Sequence, residues 1–168
     1  MSADLAVIEA ALKAAMPGPW SVAAGRIVSK LAIDAETGCW LWSGYLRDGY
    51  GVISIHCVNH SLHRLIFQAL KGEIPNGLEV DHICRRRACC NPDHLRAVTR
   101  KQNAENLDPS PNRGVRWNPK RAKWEVTAKS GGRSYFGGRF TDIAEARSAA
   151  AALRNRLFTH NTAERGAA

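Results

Sequence analysis

The sequence predicts an α+β protein in two parts, and three observations carry that prediction. Residues 78–106 read strand, long loop, strand, helix, with acid, imidazole and amide side chains clustered along the unit. Residues 108–112, Asp-Pro-Ser-Pro-Asn, form a short linker whose two prolines stop any helix. Three short strand patterns and one Ala-rich helical pattern follow that linker.

Taken in order, residues 3–16 carry Leu5, Ile8, Ala11, Leu12 and Ala15 at helical spacing, and Pro17-Gly18-Pro19 ends the segment. A short helix is expected over 26–34. Cys39–Trp42 and Gly49–Val58 read as two strands of a hairpin, with turn chemistry from Asp48-Gly49. Leu62–Lys71 reads as a helix ended by Gly72, residues 74–77 as a turn, and 78–83 as a strand. A strand over Leu95–Val98 leads to Thr99, and Thr99 with Gln102 makes a capping-box pattern for the next helix. Beyond the linker, strands are expected at 114–117, 123–129 and 133–136. Thr141-Asp142 caps a helix over 143–157. In the middle strand Trp124, Val126 and Ala128 alternate with Lys123, Glu125, Thr127 and Lys129, so the apolar side receives the helix and the charged side is left for a ligand.

The 168 residues carry a formal net charge of +9. Residues 84–101 sum to +5 and residues 113–140 to +7, which leaves −3 for the remainder. Two basic blocks in a slightly acidic chain suggest two nucleic-acid contact surfaces. No run approaches the ~20 apolar residues of a membrane span, and the N-terminus lacks a signal-peptide pattern. An intracellular, soluble protein with no membrane partner is expected. Five cysteines, an odd number, argue for metal binding or burial rather than a disulfide framework.

The chemistry concentrates in Val80-Asp81-His82-Ile83-Cys84, followed by Asn91-Pro92-Asp93-His94-Leu95 and Asn103. Phosphodiester hydrolysis needs a base for water and a counter-charge for the phosphoryl and leaving oxygens. His82 suits the base, since histidine titrates near ~6.5. Asp81 supplies a hard oxygen for Mg²⁺ or Mn²⁺. Asn91 is expected to hold the loop or to orient His82. Cys84, Cys89 and His94 have four residues between each, so one loop can bring all three to a zinc ion. Cys90 is an alternative to Cys89, and His94 is an alternative ligand for the catalytic ion. Cys57 has no partner spacing and reads as buried.

The stretch His63-Arg64-Leu65 through Asn106 resembles the HNH, or ββα-metal, nucleases common in phages and mobile introns. Val-Asp-His-Ile-Cys, Asn-Pro-Asp-His-Leu and Val-Thr-Arg-Lys-Gln-Asn carry the resemblance, and Gly38–Gly44 and Asp48–Gly51 fit it. It implies a ββα-metal core, a second ion ligand at Asn103, and products with 5′-phosphate and 3′-hydroxyl ends. It also implies supporting roles for His63 and Arg64, and Cys39 as the fourth ligand of a structural zinc with Cys84, Cys89 and His94. A phage-encoded protein would act in the host cytoplasm.

Residues 113–158 resemble the Apetala (ethylene-response-factor) DNA-binding domains through Arg113-Gly114-Val115-Arg116-Trp117, Lys123-Trp124, Gly138-Arg139-Phe140 and Glu145-Ala146. That resemblance implies a three-stranded sheet in the major groove, with Arg113, Arg116, Thr127 and Lys129 at the DNA and Lys123, Arg133 and Arg139 on its backbone. Ser134-Tyr135-Phe136 departs from the basic-aromatic pair of that family. Arg85, Arg86 and Arg87, in the nuclease loop, suit phosphate contacts.

The expected organisation is an N-terminal helical segment at 1–25, an HNH nuclease domain at 26–107, the linker at 108–112, and a DNA-binding domain at 113–168. The expected function is a metal-dependent endonuclease on double-stranded DNA, with a homodimer as one way to cut both strands. The rivals are a DNA-binding regulator with an inactive nuclease half and a structure-specific nuclease.

Overall fold

A computed structural model describes residues 5–16, 18, 21–106, 110 and 112–160. Pro17 and Pro19, most of the linker and the chain beyond 160 lie outside the described residues. The fold is α+β, with two compact units at Met1–Arg100 and Lys101–Ala168.

In the first unit, helices α1 (Leu5–Ala15) and α2 (Ser21–Val28) precede strands β1 (Leu31–Ile33) and β2 (Trp40–Trp42). The expected α1 face is half right: Ile8 and Leu12 are buried, while Leu5 and Ala11 are exposed. The helix expected over 26–34 stops early. Leu31–Ile33 instead pairs antiparallel with Trp40–Trp42, a long-range pairing that local periodicity does not reveal.

The expected hairpin is also redrawn. Strand β4 (Tyr50–Ile55) pairs with β3 (Leu46–Arg47) across Asp48-Gly49, and with β5 (Val58–Ser61) across His56-Cys57. Both two-residue turns have positive φ at both positions, the backbone that matches strand twist. Cys57 is therefore exposed in a turn rather than buried.

Helix α3 (Leu62–Lys71) turns Leu62 and Ile66 into a core with Ile8, Leu12, Ile27, Trp40, Trp42, Ile53 and Ile55. Each such aliphatic side chain contributes about 1.5–3 kcal/mol on burial. Trp42 donates its indole N–H to the Tyr45 carbonyl at 3.1 Å. A Cβ on Gly44 would lie 2.4 Å from the same ring, so only glycine fits there.

Strands β6 (Glu79–His82) and β7 (Leu95–Val98) pair antiparallel, Asp81 opposite Arg96 and His82 opposite Leu95. A single 3₁₀ turn, Pro92–His94, precedes β7. Val80 and Leu95 pack on Phe67 of α3.

Helix α4 (Arg100–Glu105) follows, beginning directly after Thr99. The second unit holds β8 (Val115–Asn118), β9 (Lys123–Ser130), β10 (Arg133–Phe140) and α5 (Ile143–Leu157). The sheet is antiparallel in the order β10-β9-β8. Val126 and Ala128 bury against Ala146, Ala150 and Leu153 of α5, as the alternation required. Asp142 caps α5 by accepting from the Ala144 and Glu145 amides. Gly114 has φ 82°, and a Cβ there would meet the Thr127 carbonyl at 2.4 Å.

Candidate functional site

The segment 88–90 runs antiparallel along β2. Trp42 N donates to Ala88 O and Cys90 N donates to Trp40 O, with a bridge between Leu41 and Cys89. Cys39 and Cys89 are thereby brought side by side, both fully buried. Ile83 N donates to His94 O and returns the loop to β7.

Cys39, Cys84, Cys89 and His94 offer one ligand atom each, all within 4.8 Å of one another. His94 Nδ1 lies 3.4 Å from Cys39 Sγ and 3.7 Å from Cys89 Sγ. A tetrahedral zinc with sulfur and nitrogen ligands needs such atoms about 3.6–3.8 Å apart, so the donor set and its spacing fit that ion. Cys90 is excluded from the cluster: its thiol donates to the Trp40 carbonyl inside the core. His94 turns Nδ1 to the thiols of Cys39 and Cys89.

The Cys84 thiol is pushed down to about 5, chiefly by the hydrogen bond from Cys89, and burial pushes Cys39 up. Thiolates are the form that a metal takes.

Asn91 braces the cluster. Its Nδ2 donates to Gly38 O at 2.7 Å, and its Oδ1 accepts from Asp93 N at 2.9 Å. It holds the loop, the first of the two expected uses; the backbone group that touches His82 belongs to Cys89 instead.

His82 is buried, and its Nε2 lies 2.9 Å from the Cys89 carbonyl. A carbonyl only accepts, so Nε2 carries the proton and the basic lone pair sits on Nδ1. Burial lowers the His82 pKa, against the pull of that carbonyl. On α3, His63 lies one turn before Phe67, as His82 lies one side-chain repeat beyond Val80 on β6. The His63 and His82 rings accordingly meet at a tilt of 50°, 4.8 Å between centroids, with Tyr50 at 5.3 and 5.8 Å from them. Burial, then the proximity of His82 and Arg64, holds His63 neutral with a pKa of about 3. His63 is a packing partner of His82, while Arg64 is exposed.

Asp81 is also buried, and Arg96 donates to its Oδ2 from Nε at 3.0 Å and from Nη2 at 2.9 Å. The carboxylate is a hard-oxygen donor that already holds a cation. Asn103 lies in α4.

The three loop arginines are not equivalent. Arg86 pairs with Asp34 at 2.5 Å, and Arg87 donates to Asp48 O and lies over Tyr50. Arg85 sits at a positive φ of 58°.

In the second unit the strand register sorts the basic residues. Arg116 opposes Glu125, Phe136 opposes Thr127, and Ser134 opposes Lys129. Arg116, Lys123, Thr127 and Lys129 therefore share the face turned away from α5, and all four are exposed. Arg133 opposes Ser130 and has the other parity. Arg113 is half-buried, donating to Ala104 O and lying over the Phe158 ring. Arg139 bonds Glu125 and stacks on the exposed Phe136.

Sequence reasoning missed Arg96 and the ring contact of Tyr50. No local sequence signal marks Arg96: only when Ile83 meets His94 does antiparallel pairing set Asp81 opposite Arg96.

A family model described as HNH endonuclease matches residues 60–105. The chain is 37% identical over 73 residues to the "Uncharacterized gene 5.3 protein" of Enterobacteria phage T3, covering 39% of this chain and 72% of that protein. It is 32% identical over 87 residues to "Protein 2.8" and 34% over 70 residues to "Protein 7.7", both of Escherichia phage T7. These matches span 57% and 54% of the two T7 proteins, little more than half of each. No solved structure matches. Among the described residues no helix is long and apolar enough to cross a membrane.

Proposed function

The chain belongs to the phage protein family of the T3 gene 5.3 protein and carries an HNH endonuclease domain, and on that premise we propose that it is a metal-dependent DNA endonuclease. One observation carries the reading: the Cys89 carbonyl fixes the proton of the buried His82 on Nε2 and leaves the lone pair on Nδ1.

In this reading His82 takes a proton from water at Nδ1 as that water attacks phosphorus. The 3′-oxygen leaves, so the ends are 5′-phosphate and 3′-hydroxyl. Asp81 and Asn103 would hold Mg²⁺ or Mn²⁺, the two oxygen ligands of a ββα-metal core. The ion, when bound, offsets charge on the phosphoryl and leaving oxygens. His63 and Tyr50 pack the His82 ring in place. Cys39, Cys84, Cys89 and His94 would hold a structural zinc, which would fix the loop that carries the Cys89 carbonyl. The sheet face of Arg116, Lys123, Thr127 and Lys129 serves as an Apetala-type contact with double-stranded DNA.

The test is nicking of supercoiled plasmid with Mg²⁺. His82→Ala should lose about 10²–10⁴-fold in rate and keep its gel shift. Equal cutting by the variant removes His82 from the chemistry.

The second reading is a DNA-binding regulator with an inactive nuclease half. The Arg96 guanidinium on Asp81 favours it, because that cation already bonds one oxygen of the carboxylate an ion would use. Gel-shift binding with no cutting by the wild-type chain, in Mg²⁺ or Mn²⁺, would select it.

A further inference from the structure

We propose that Arg96 is a positioning residue that holds the Asp81 carboxylate and competes with the divalent ion for it. The inference rests on the reading of Asp81 as an ion ligand and adds a regulator of that ligand.

Three observations carry it. Strand register puts Arg96 directly opposite Asp81, so both side chains leave the β6–β7 ribbon on one face while Val80 and His82 use the other. Both guanidinium contacts, 3.0 and 2.9 Å, converge on the single oxygen Oδ2. Side-chain exposure is 7% for Asp81 and 22% for Arg96, so solvent screens the pair poorly.

Arg96 supplies a counter-charge to this buried carboxylate. A divalent ion arriving at the same carboxylate meets a fixed positive charge. The Coulomb repulsion between a divalent ion and a guanidinium about 5 Å apart, even at water-like screening, weakens ion binding about tenfold. A substrate phosphate changes that balance, because it offers the guanidinium anionic oxygens in the geometry that arginine prefers. Arg96 thus keeps the ion weakly held until a phosphodiester is present.

Mn²⁺ binding to the zinc-loaded full chain, measured by calorimetry without DNA, tests this. Arg96→Ala should bind Mn²⁺ about tenfold more tightly than wild type, while Arg96→Lys, which keeps the charge, should stay close to it. A purely structural role predicts looser binding on truncation, never tighter. Should Arg96→Ala misfold, seen as lost zinc, Arg96→Gln removes the charge with an amide in its place and carries the same expectation. Binding no tighter than wild type in the neutral variant overturns the proposal, and so does a lysine variant that tightens as far as alanine. Asp81→Asn separates the two layers. If it binds Mn²⁺ as wild type does, Asp81 is no ligand and the underlying reading fails first.

Discussion

His82 and Cys89 are joined by a 2.9 Å hydrogen bond from the imidazole to the backbone carbonyl, while the Cys89 thiol lies with Cys39, Cys84 and His94. One residue thus belongs to the cysteine cluster through its side chain and sets the His82 tautomer through its backbone. Stripping zinc should therefore disturb His82 without touching its side chain. Chelation, or Cys39→Ser, should abolish nicking even in saturating Mg²⁺. Cys57→Ser, in an exposed turn, should keep both zinc and cutting. Zinc content read beside nicking rate checks this, and a zinc-free chain that still cuts at the wild-type rate would break the link.

Within the second unit, Glu105 is 4% exposed and its Oε2 accepts from the Thr159 amide, the Thr159 hydroxyl and the His160 amide. Burial opposes its charge, but these donors win, and its folded pKa is lowered. A lowered carboxylate contributes stability that is fully present above its unfolded pKa, about 4.3, and is lost as pH falls through the folded value. Glu105→Ala should cost about 1–3 kcal/mol. Hydrogen exchange at the Thr159 amide should speed up in the variant at pH 7, and the difference from wild type should shrink in acid.

The outer sheet face makes a prediction in salt. Arg116 and Lys129 are exposed on it, whereas Arg113 is tied to Ala104 O and Phe158. Arg116→Ala and Lys129→Ala should each lower the slope of log binding against log salt by about 0.9. Arg133→Ala, on the other parity, should change it less. Filter binding across a salt series decides it, and equal slopes for all three variants would move the DNA contact off this face.

Much of this was legible because some elements carry their own punctuation. Leu62–Lys71 ends at Gly72, and Leu95–Val98 ends where Thr99 opens a helix; both were read with the bounds they have. The alternation in β9 placed Val126 and Thr127 on opposite faces. What stayed hidden depends on pairing. The His56-Cys57 turn has positive φ at both positions without a glycine or asparagine, so no turn dipeptide marked it. Arg113 and Arg116 look alike as letters, and only the backbone separates a basic group held at Ala104 and Phe158 from one on the open face. Arg96 looked like one more basic residue until register set it against Asp81.

Asn91 gives the last prediction, because its two arms end beside two different ligands. Nδ2 bonds the carbonyl of Gly38, the residue before Cys39, and Oδ1 bonds the amide of Asp93, the residue before His94. Asn91→Ala removes both bonds and leaves two partners unsatisfied at a buried position, at a cost of about 1–3 kcal/mol. Asn91→Asp keeps an acceptor for Asp93 N but sets a carboxylate oxygen against the Gly38 carbonyl, two acceptors facing each other. The Cys39 side of the cluster should loosen while the His94 side holds. Zinc release to a coloured chelator should therefore be faster than wild type in both variants. If Asn91→Asp releases zinc at the wild-type rate, the Gly38 arm contributes nothing to the site.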